Sequence, residues 1–264
     1  MTSRAGRRPA DPHESTTANR TWWDDEAPSY YAEHGAFLGD DAFVWGPEGW
    51  TEDELGLLGD VAGRTVLEIG AGGAQCSRWL AARGARVVAS DLSSGMLRTA
   101  RAISARSGRA LPLVQCDGAC LPLAGASVDL VVTAYGVVPF VADSAAVMAE
   151  AARVLRPGGR FVFSTSHPFR WALPDVPGEG GLRVTQSYFD TTPYVESDDE
   201  GRVTYVEHHR TIGERVREIR AAGLVLEDIV EPTWPDRNTQ TWGGWSPLRG
   251  ALVPGTAIFV ATRP

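Results

Sequence analysis

Two carboxylates flanking a glycine turn are the first residues whose types and spacing can do chemistry. Thr65-Val66-Leu67-Glu68-Ile69 runs into Gly70-Ala71-Gly72-Gly73-Ala74, and Arg86-Val87-Val88-Ala89-Ser90 ends on Asp91, 21 residues after Gly70. Glycines behind an apolar run let the backbone turn tightly and approach a ligand that a Cβ would hold off. An acid closing the next run can accept hydrogen bonds from both hydroxyls of a ribose. The pair points to an adenosine-type ligand without saying which one. A dinucleotide site wants a further glycine at position 75, where Gln75 stands, and this argues against a bound pyrophosphate. Glu68 would be poorly placed beside a pyrophosphate but suits a ligand carrying an amino group.

These residues must be brought to one edge by alternating strands and helices. Apolar runs at 65–69, 86–90, 111–116, 128–134 and 159–166 read as strands, with helical patterns at 74–84, 94–107 and 143–155 between them. The runs are almost continuous in aliphatic residues, as expected of a parallel sheet covered on both faces. Arg156-Pro157-Gly158-Gly159 is a stop and turn after the third helix. Four segments flank this core of 61–166. Residues 1–20, without periodicity, read as a disordered tail, and the aromatic-rich stretch 21–60 as an N-terminal helical cap with a helix start at Thr51. Residues 167–208, with strand-like pieces at 182–189 and 202–207, read as a lid or substrate insertion. A helix at 211–222 and strands at 224–230 and 255–262 complete a single domain.

Composition removes whole classes of chemistry. The chain has 264 residues, 43% hydrophobic and 22% charged, which fits one soluble globular domain. No apolar run reaches the roughly 18 residues of a membrane helix, and no secretory signal is expected, so the reading is cytoplasmic. A net charge of −8 disfavours nucleic acid as a partner. Every one of the 25 basic residues is arginine, which excludes Schiff-base chemistry, a Walker lysine and a Tyr-x-x-x-Lys reductase pair. Cys76, Cys116 and Cys120 could join His167, His208 or His209 as metal ligands. Their spacing lacks a Cys-x-x-Cys pair, and burial as small apolar residues is the favoured reading, with no metal expected.

Five motifs in order give the chain a resemblance to the class I S-adenosylmethionine-dependent methyltransferases of the small-molecule type. They are Val66-Leu67-Glu68-Ile69-Gly70-Ala71-Gly72, Asp91-Leu92-Ser93, Asp117 with Leu121-Pro122-Leu123, Asp129 to Tyr135, and Arg153-Val154-Leu155-Arg156-Pro157-Gly158-Gly159. The resemblance implies an α/β, doubly wound, mostly parallel seven-stranded sheet with an antiparallel C-terminal strand, the Rossmann-like methyltransferase fold. It implies S-adenosyl-L-methionine as cofactor, with Gly70 and Gly72 under its methionine part and Glu68 supporting the amino group. It further implies Asp91 on the ribose, Leu92 against the adenine, Asp117 with the backbone of Gly118 at the adenine edge, and Tyr135 near the reactive methyl. One departure is Ala74 where the family often has glycine, expected to tighten the fit slightly.

The acceptor is read from what surrounds the core. Eight of the nine tryptophans, Trp22, Trp23, Trp45, Trp50, Trp171, Trp234, Trp242 and Trp245, lie in the cap, insertion and C-terminal loop. If these elements converge over the methyl, the pocket takes a flat or apolar small molecule, with Trp22, Tyr30 and Trp171 as its candidate walls. Gluing the elaborations to the core is the competing role. A general base is needed only if the acceptor must lose a proton, and His167, at the same sheet edge, is the candidate. The acceptor atom, oxygen, nitrogen or carbon, stays open. Two rivals stand beside this reading: an NAD(P)-dependent oxidoreductase, and a non-catalytic methyltransferase-like binding or scaffold domain.

Overall fold

The computed structural model describes residues 4–264. Strand β1 (Arg4–Arg7) and helix α1 (Pro12–Leu38) stand where a disordered tail is expected. The first three residues of that stretch lie outside the described residues. α1 starts cleanly: the Asp11 carboxylate accepts from Glu14 N–H at 2.8 Å, and Pro12 opens the first turn. Its buried face is small and polar, with Ser15, Ala18 and Asn19, so no apolar stripe announces it. Asn19 instead satisfies backbone groups, donating to the carbonyls of Phe140 and Val206 and accepting from Val206 N–H, all at 2.9 Å. After one helical turn, α2 (Glu52–Leu55), the cap enters the regular core.

The core runs β2 (Thr65–Ile69), α3 (Gln75–Ala82), β3 (Arg86–Asp91), α4 (Ser94–Ser107), β4 (Leu113–Gln115), β5 (Val128–Thr133), α5 (Ser144–Val154) and β6 (Leu155–Ser166). The insertion then supplies β7 (Tyr194–Ser197) and β8 (Val203–Glu207), and the chain closes with α6 (Ile212–Ala221), β9 (Val225–Val230), the single turn α7 (Pro247–Gly250) and β10 (Thr256–Thr262). Seven strands form one sheet in the order β4-β3-β2-β5-β6-β10-β9. β2 to β6 are mutually parallel, and β10 is antiparallel to both its neighbours, as the resemblance implies.

Alternation along the strands divides the core into two layers. Leu67 and Ile69 pack with Met148 and Val154 of α5 and Ile219 of α6. Val66, Leu130 and Val132 face the other way, onto Trp79 and Leu80 of α3 and Phe43, Trp45 and Leu58 of the cap. The strand order reverses at β2, between β3 and β5, so the loops after these strands open a crevice at the carboxyl edge.

A second sheet, β1-β7-β8, is antiparallel and unanticipated. The strand expected at 182–189 does not form. That stretch follows a 3-10 turn (Glu179–Leu182), leaves Val184 and Phe189 exposed, and pairs with no strand among the described residues. The insertion's first strand is instead Tyr194–Ser197, paired residue for residue with Arg4–Arg7. Arg7 fastens the join by donating to the carbonyls of Asp190, Thr192 and Trp171 at 3.0–3.2 Å.

Candidate active site

The crevice deepens into a cavity of about 400 Å³ that receives residues from the core, α1, the insertion and the C-terminal loop. Its core end holds every residue assigned above to the cofactor: Glu68, Gly70, Gly72, Asp91, Leu92, Asp117, Gly118 and Tyr135 all line it. Glu68, at the end of β2, is buried and accepts a short hydrogen bond from the Ser77 hydroxyl. Burial pushes its carboxyl up to about 7, with Ser77 and the Arg78 guanidinium opposing. Asp91 accepts from Gly72 N–H and Ser93 N–H, each at 2.8 Å, so it holds the glycine turn as well as facing the cavity. Burial raises its carboxyl too, against those two N–H groups.

The two turn glycines do different work. Gly72, at φ +52°, has open space where a Cβ would stand, which is the condition for close approach by a ligand. Gly70, at φ +68°, faces protein: a Cβ there would lie 2.2 Å from Val137 Cγ2. Gly118 is crowded by the same side chain, 2.9 Å from Val137 Cγ1. Val137 therefore plugs the floor between two glycines, a role its place in the sequence does not advertise. It does so in a sparsely allowed conformation, φ +52° and ψ −67°, with Val138 N–H donating to Gly136 C=O at 2.6 Å. Tyr135, two residues earlier, is also at positive φ, +60°. Its N–H donates to Ser164 Oγ at 2.8 Å and its hydroxyl accepts from Ser166 at 3.2 Å.

Ala74 corrects an expectation. Its φ of +58° puts it in the left-handed region, so replacing glycine there strains the backbone by roughly 1–2 kcal/mol and does not merely tighten a fit.

The far end of the cavity is aromatic. Trp22, Trp23, Tyr30 and His34 project from α1, and Phe140, Tyr205, Trp242 and Trp245 meet them. The rings touch edge to face: Trp22 to Trp23 at 4.6 Å, Trp23 to Tyr30 at 5.4 Å and Trp23 to Phe140 at 5.6 Å. Trp242 stacks on His34 at 4.4 Å. Trp22 and Tyr30, the candidate acceptor walls, both line the cavity. Arg170, Asp175 and Glu207 add charge at this end. No periodicity marks them, although Tyr205 and Glu207 share one face of β8 by simple alternation.

Two expected site residues are elsewhere. Ser166 lines the cavity, so the next side chain turns away. His167 is buried, accepts from Phe169 N–H at Nδ1 (3.1 Å), and sets Nε2 2.8 Å from Glu231 Oε1. Burial lowers its pKa while Glu231 opposes. It does not line the cavity, and its placement is that of a tie between β6 and the C-terminal loop. Trp171 is sandwiched by the guanidinium groups of Arg7 and Arg170, 5.3 and 4.8 Å from its ring, and binds the insertion to β1. Of the eight outlying tryptophans, Trp22, Trp23, Trp242 and Trp245 line the cavity and the other four do not, so both roles weighed for them occur. The histidines after β8 are structural: His208 shares a 3.0 Å hydrogen bond with Ser15 of α1, and His209 contacts the Tyr188 carbonyl at 2.7 Å. Among the described residues, no group of three or more His, Cys, Asp or Glu is placed to hold a metal ion.

The family described as "Methyltransferase domain" matches residues 67–163. A demethylmenaquinone methyltransferase of Corynebacterium urealyticum is 31% identical over 221 residues, 81% of this chain and 83% of that protein. The enzyme of the same name from Mycobacterium sp. strain KMS is 41% identical over 131 residues, 48% of this chain. Against that and similar relatives the chain spans about half their length, 51%. A crystal structure of an S-adenosylmethionine dependent methyltransferase from Mesorhizobium loti superposes with a TM-score of 0.63 at 28% identity, covering 79% of this chain and 95% of that one.

Proposed function

We propose an acceptor for this enzyme from one premise: the chain belongs to the class I S-adenosylmethionine-dependent methyltransferases, and S-adenosylmethionine is its methyl donor. The acceptor is a flat, largely apolar aromatic of the quinone type, taken up in its reduced, hydroxylated form. One observation carries this reading: the glycine cradle and the aromatic chamber are two ends of a single cavity. The relatives named as demethylmenaquinone methyltransferases support the same class of substrate.

The residues at the core end fit the donor. Glu68 is a buried carboxylate without an ion-pair partner in contact, suited to the ammonium of the methionine part. Gly72 leaves the open face that this part needs. Asp91 retains acceptor capacity toward the ribose hydroxyls, Leu92 offers an apolar surface to the adenine, and Asp117 with the Gly118 N–H faces its edge. When bound, the donor supplies an electrophilic methyl on a sulfonium. Transfer neutralises that charge, so the chain's contribution is to exclude water, align the acceptor in line and surround the cation with ring faces. Tyr135, on its strained turn between the two ends, is placed to border the methyl.

An oxidoreductase and a non-catalytic binder are not favoured: Gln75 fills the dinucleotide glycine position, and the cavity joins the glycine cradle to an aromatic chamber. The test is transfer of labelled methyl from S-adenosylmethionine to a dihydroxynaphthalene kept reduced, beside an aliphatic alcohol and an amine of similar size. Selective labelling of the naphthalene is expected. Transfer to the amine alone would overturn the acceptor assignment.

A further inference from the structure

With His167 turned away, the cavity's acceptor end still holds a carboxylate placed to accept a proton. Glu207 ends β8, and its side chain is 11% exposed. Tyr205 O–H donates to its Oε1 at 2.5 Å, and Arg170 Nη1 donates to its Oε2 at 3.0 Å. The other arm of Arg170 reaches Asp175 Oδ2 at 3.3 Å, where the carboxylate is 57% exposed. One guanidinium thus faces two carboxylates. Arg249 also feels the charge of Asp175, so two carboxylates face two guanidinium groups here, and Glu207 is the nearer and more buried partner of Arg170. A carboxylate offers about four lone-pair sites, and these two hydrogen bonds occupy one on each oxygen.

Position singles it out as well. Tyr205 is 5.0 Å from Trp22, so the carboxylate sits at the polar end of an aromatic wall. The Tyr135 hydroxyl, beside the glycine cradle, feels the charges of both Glu207 and Arg170. Glu68 and Asp91 are committed to the donor end. His34 and Asp175 are further titratable groups at this end, but the His34 ring lies flat against Trp242 and Asp175 stands on the solvent side, 57% exposed.

We infer that Glu207 is the general base, taking the proton of the acceptor's ring hydroxyl while Arg170 and Tyr205 hold it in place. This rests on the aromatic-acceptor reading above. The acceptor's O–H bond breaks and its proton passes to a Glu207 oxygen. The freed electron pair, on oxygen or delocalised to the adjoining ring carbon, forms the bond to the methyl carbon. The pair of the departing carbon–sulfur bond stays on sulfur, which leaves as a neutral thioether. For a carbon acceptor, the ring carbon then loses its proton to water and the oxygen recovers one from Glu207, restoring the hydroxyl. Either course releases one proton per methyl, and Glu207 returns to its starting form.

The experiment compares wild type with Glu207→Gln, Glu207→Asp and His34→Gln. Measured are binding of S-adenosylhomocysteine, binding of naphthol and of naphthalene to that complex, and methyl transfer to dihydroxynaphthalene. Glu207→Gln should lower kcat by about a hundredfold or more with S-adenosylhomocysteine bound as before. It should weaken naphthol about tenfold and leave naphthalene unchanged, and Glu207→Asp should recover part of each loss. Full kcat in Glu207→Gln, or a larger loss in His34→Gln, overturns the assignment while the methyltransferase reading stands. If wild type binds naphthol but methylates no dihydroxynaphthalene, the acceptor reading fails, and the naphthol contrast still decides what Glu207 touches. No naphthol binding to wild type overturns both.

Discussion

The two ends of the cavity are built on opposite plans. The donor end comes from one continuous stretch, Glu68 to Val137, in which successive strands deliver their loops to the same sheet edge. Backbone conformation does much of its work, through positive φ at Gly70, Gly72, Ala74, Tyr135 and Val137. The acceptor end draws on α1, the insertion and the C-terminal loop, segments up to about two hundred residues apart, and works through side chains. A site made by topology constrains the main chain and tolerates little change. A site made by converging elaborations can exchange walls while the fold stays intact.

The sharpest test of that contrast is Gly70→Ala. Left-handed strain and the clash with Val137 together should cost about 2–4 kcal/mol of stability, read by denaturant unfolding. Adding Val137→Ala should return the packing part of it; a double variant no more stable than the single would show that Val137 does not set the requirement. Next is Asp91→Ala, which removes the candidate ribose acceptor and the bond to Gly72 N–H together. Donor affinity should fall about a hundredfold by calorimetry, and unchanged affinity would detach Asp91 from the donor.

Glu68 gives a pH test at the same end. Its folded value near 7 lies above the ordinary carboxylate range, so its contribution to stability of the donor-free protein is present at low pH and lost as pH rises toward 7. A bound ammonium favours the ionised form. Donor affinity should therefore rise about tenfold from one pH unit below that value to one above, with proton release on binding. A flat profile would remove the carboxylate from the contact. At the acceptor end, Trp22→Ala should raise KM for the aromatic acceptor about tenfold and leave donor affinity and fold intact. Loss of donor binding there would dissolve the distinction between the two ends. The smallest effect is Ala74→Gly, expected to gain up to about 1 kcal/mol by relieving the left-handed alanine.

Legibility in the sequence divides along the same line. The strands at 65–69, 86–91 and 128–133 follow from aliphatic runs, and the gathering of the candidate donor residues along one cavity follows from their spacing at strand ends, because local pattern and final position coincide there. Residues 4–20 were unreadable for a physical reason: the buried face of α1 is satisfied by Ser15 and Asn19 hydrogen bonds to partners nearly two hundred residues away. The alternating stretch 182–189 pairs with no strand among the described residues, while short Tyr194–Ser197 has β1 and β8 on either side. His167 stands one step of strand alternation away from Ser166, which lines the cavity. Arg170 and Glu207 acquire their meaning only when the insertion folds back, and Val137 only when a side chain's fit between two glycines is seen.

α1 belongs to both plans. Its Trp22 and Tyr30 wall the acceptor chamber, and Asp24, between them, accepts at one oxygen from Gly95 N–H (2.7 Å) and the hydroxyls of Ser93 (2.7 Å) and Ser94 (3.2 Å). Those groups begin α4, immediately after Asp91 and Leu92. An outward swing of α1 would break these three hydrogen bonds and free the start of α4, next to Asp91.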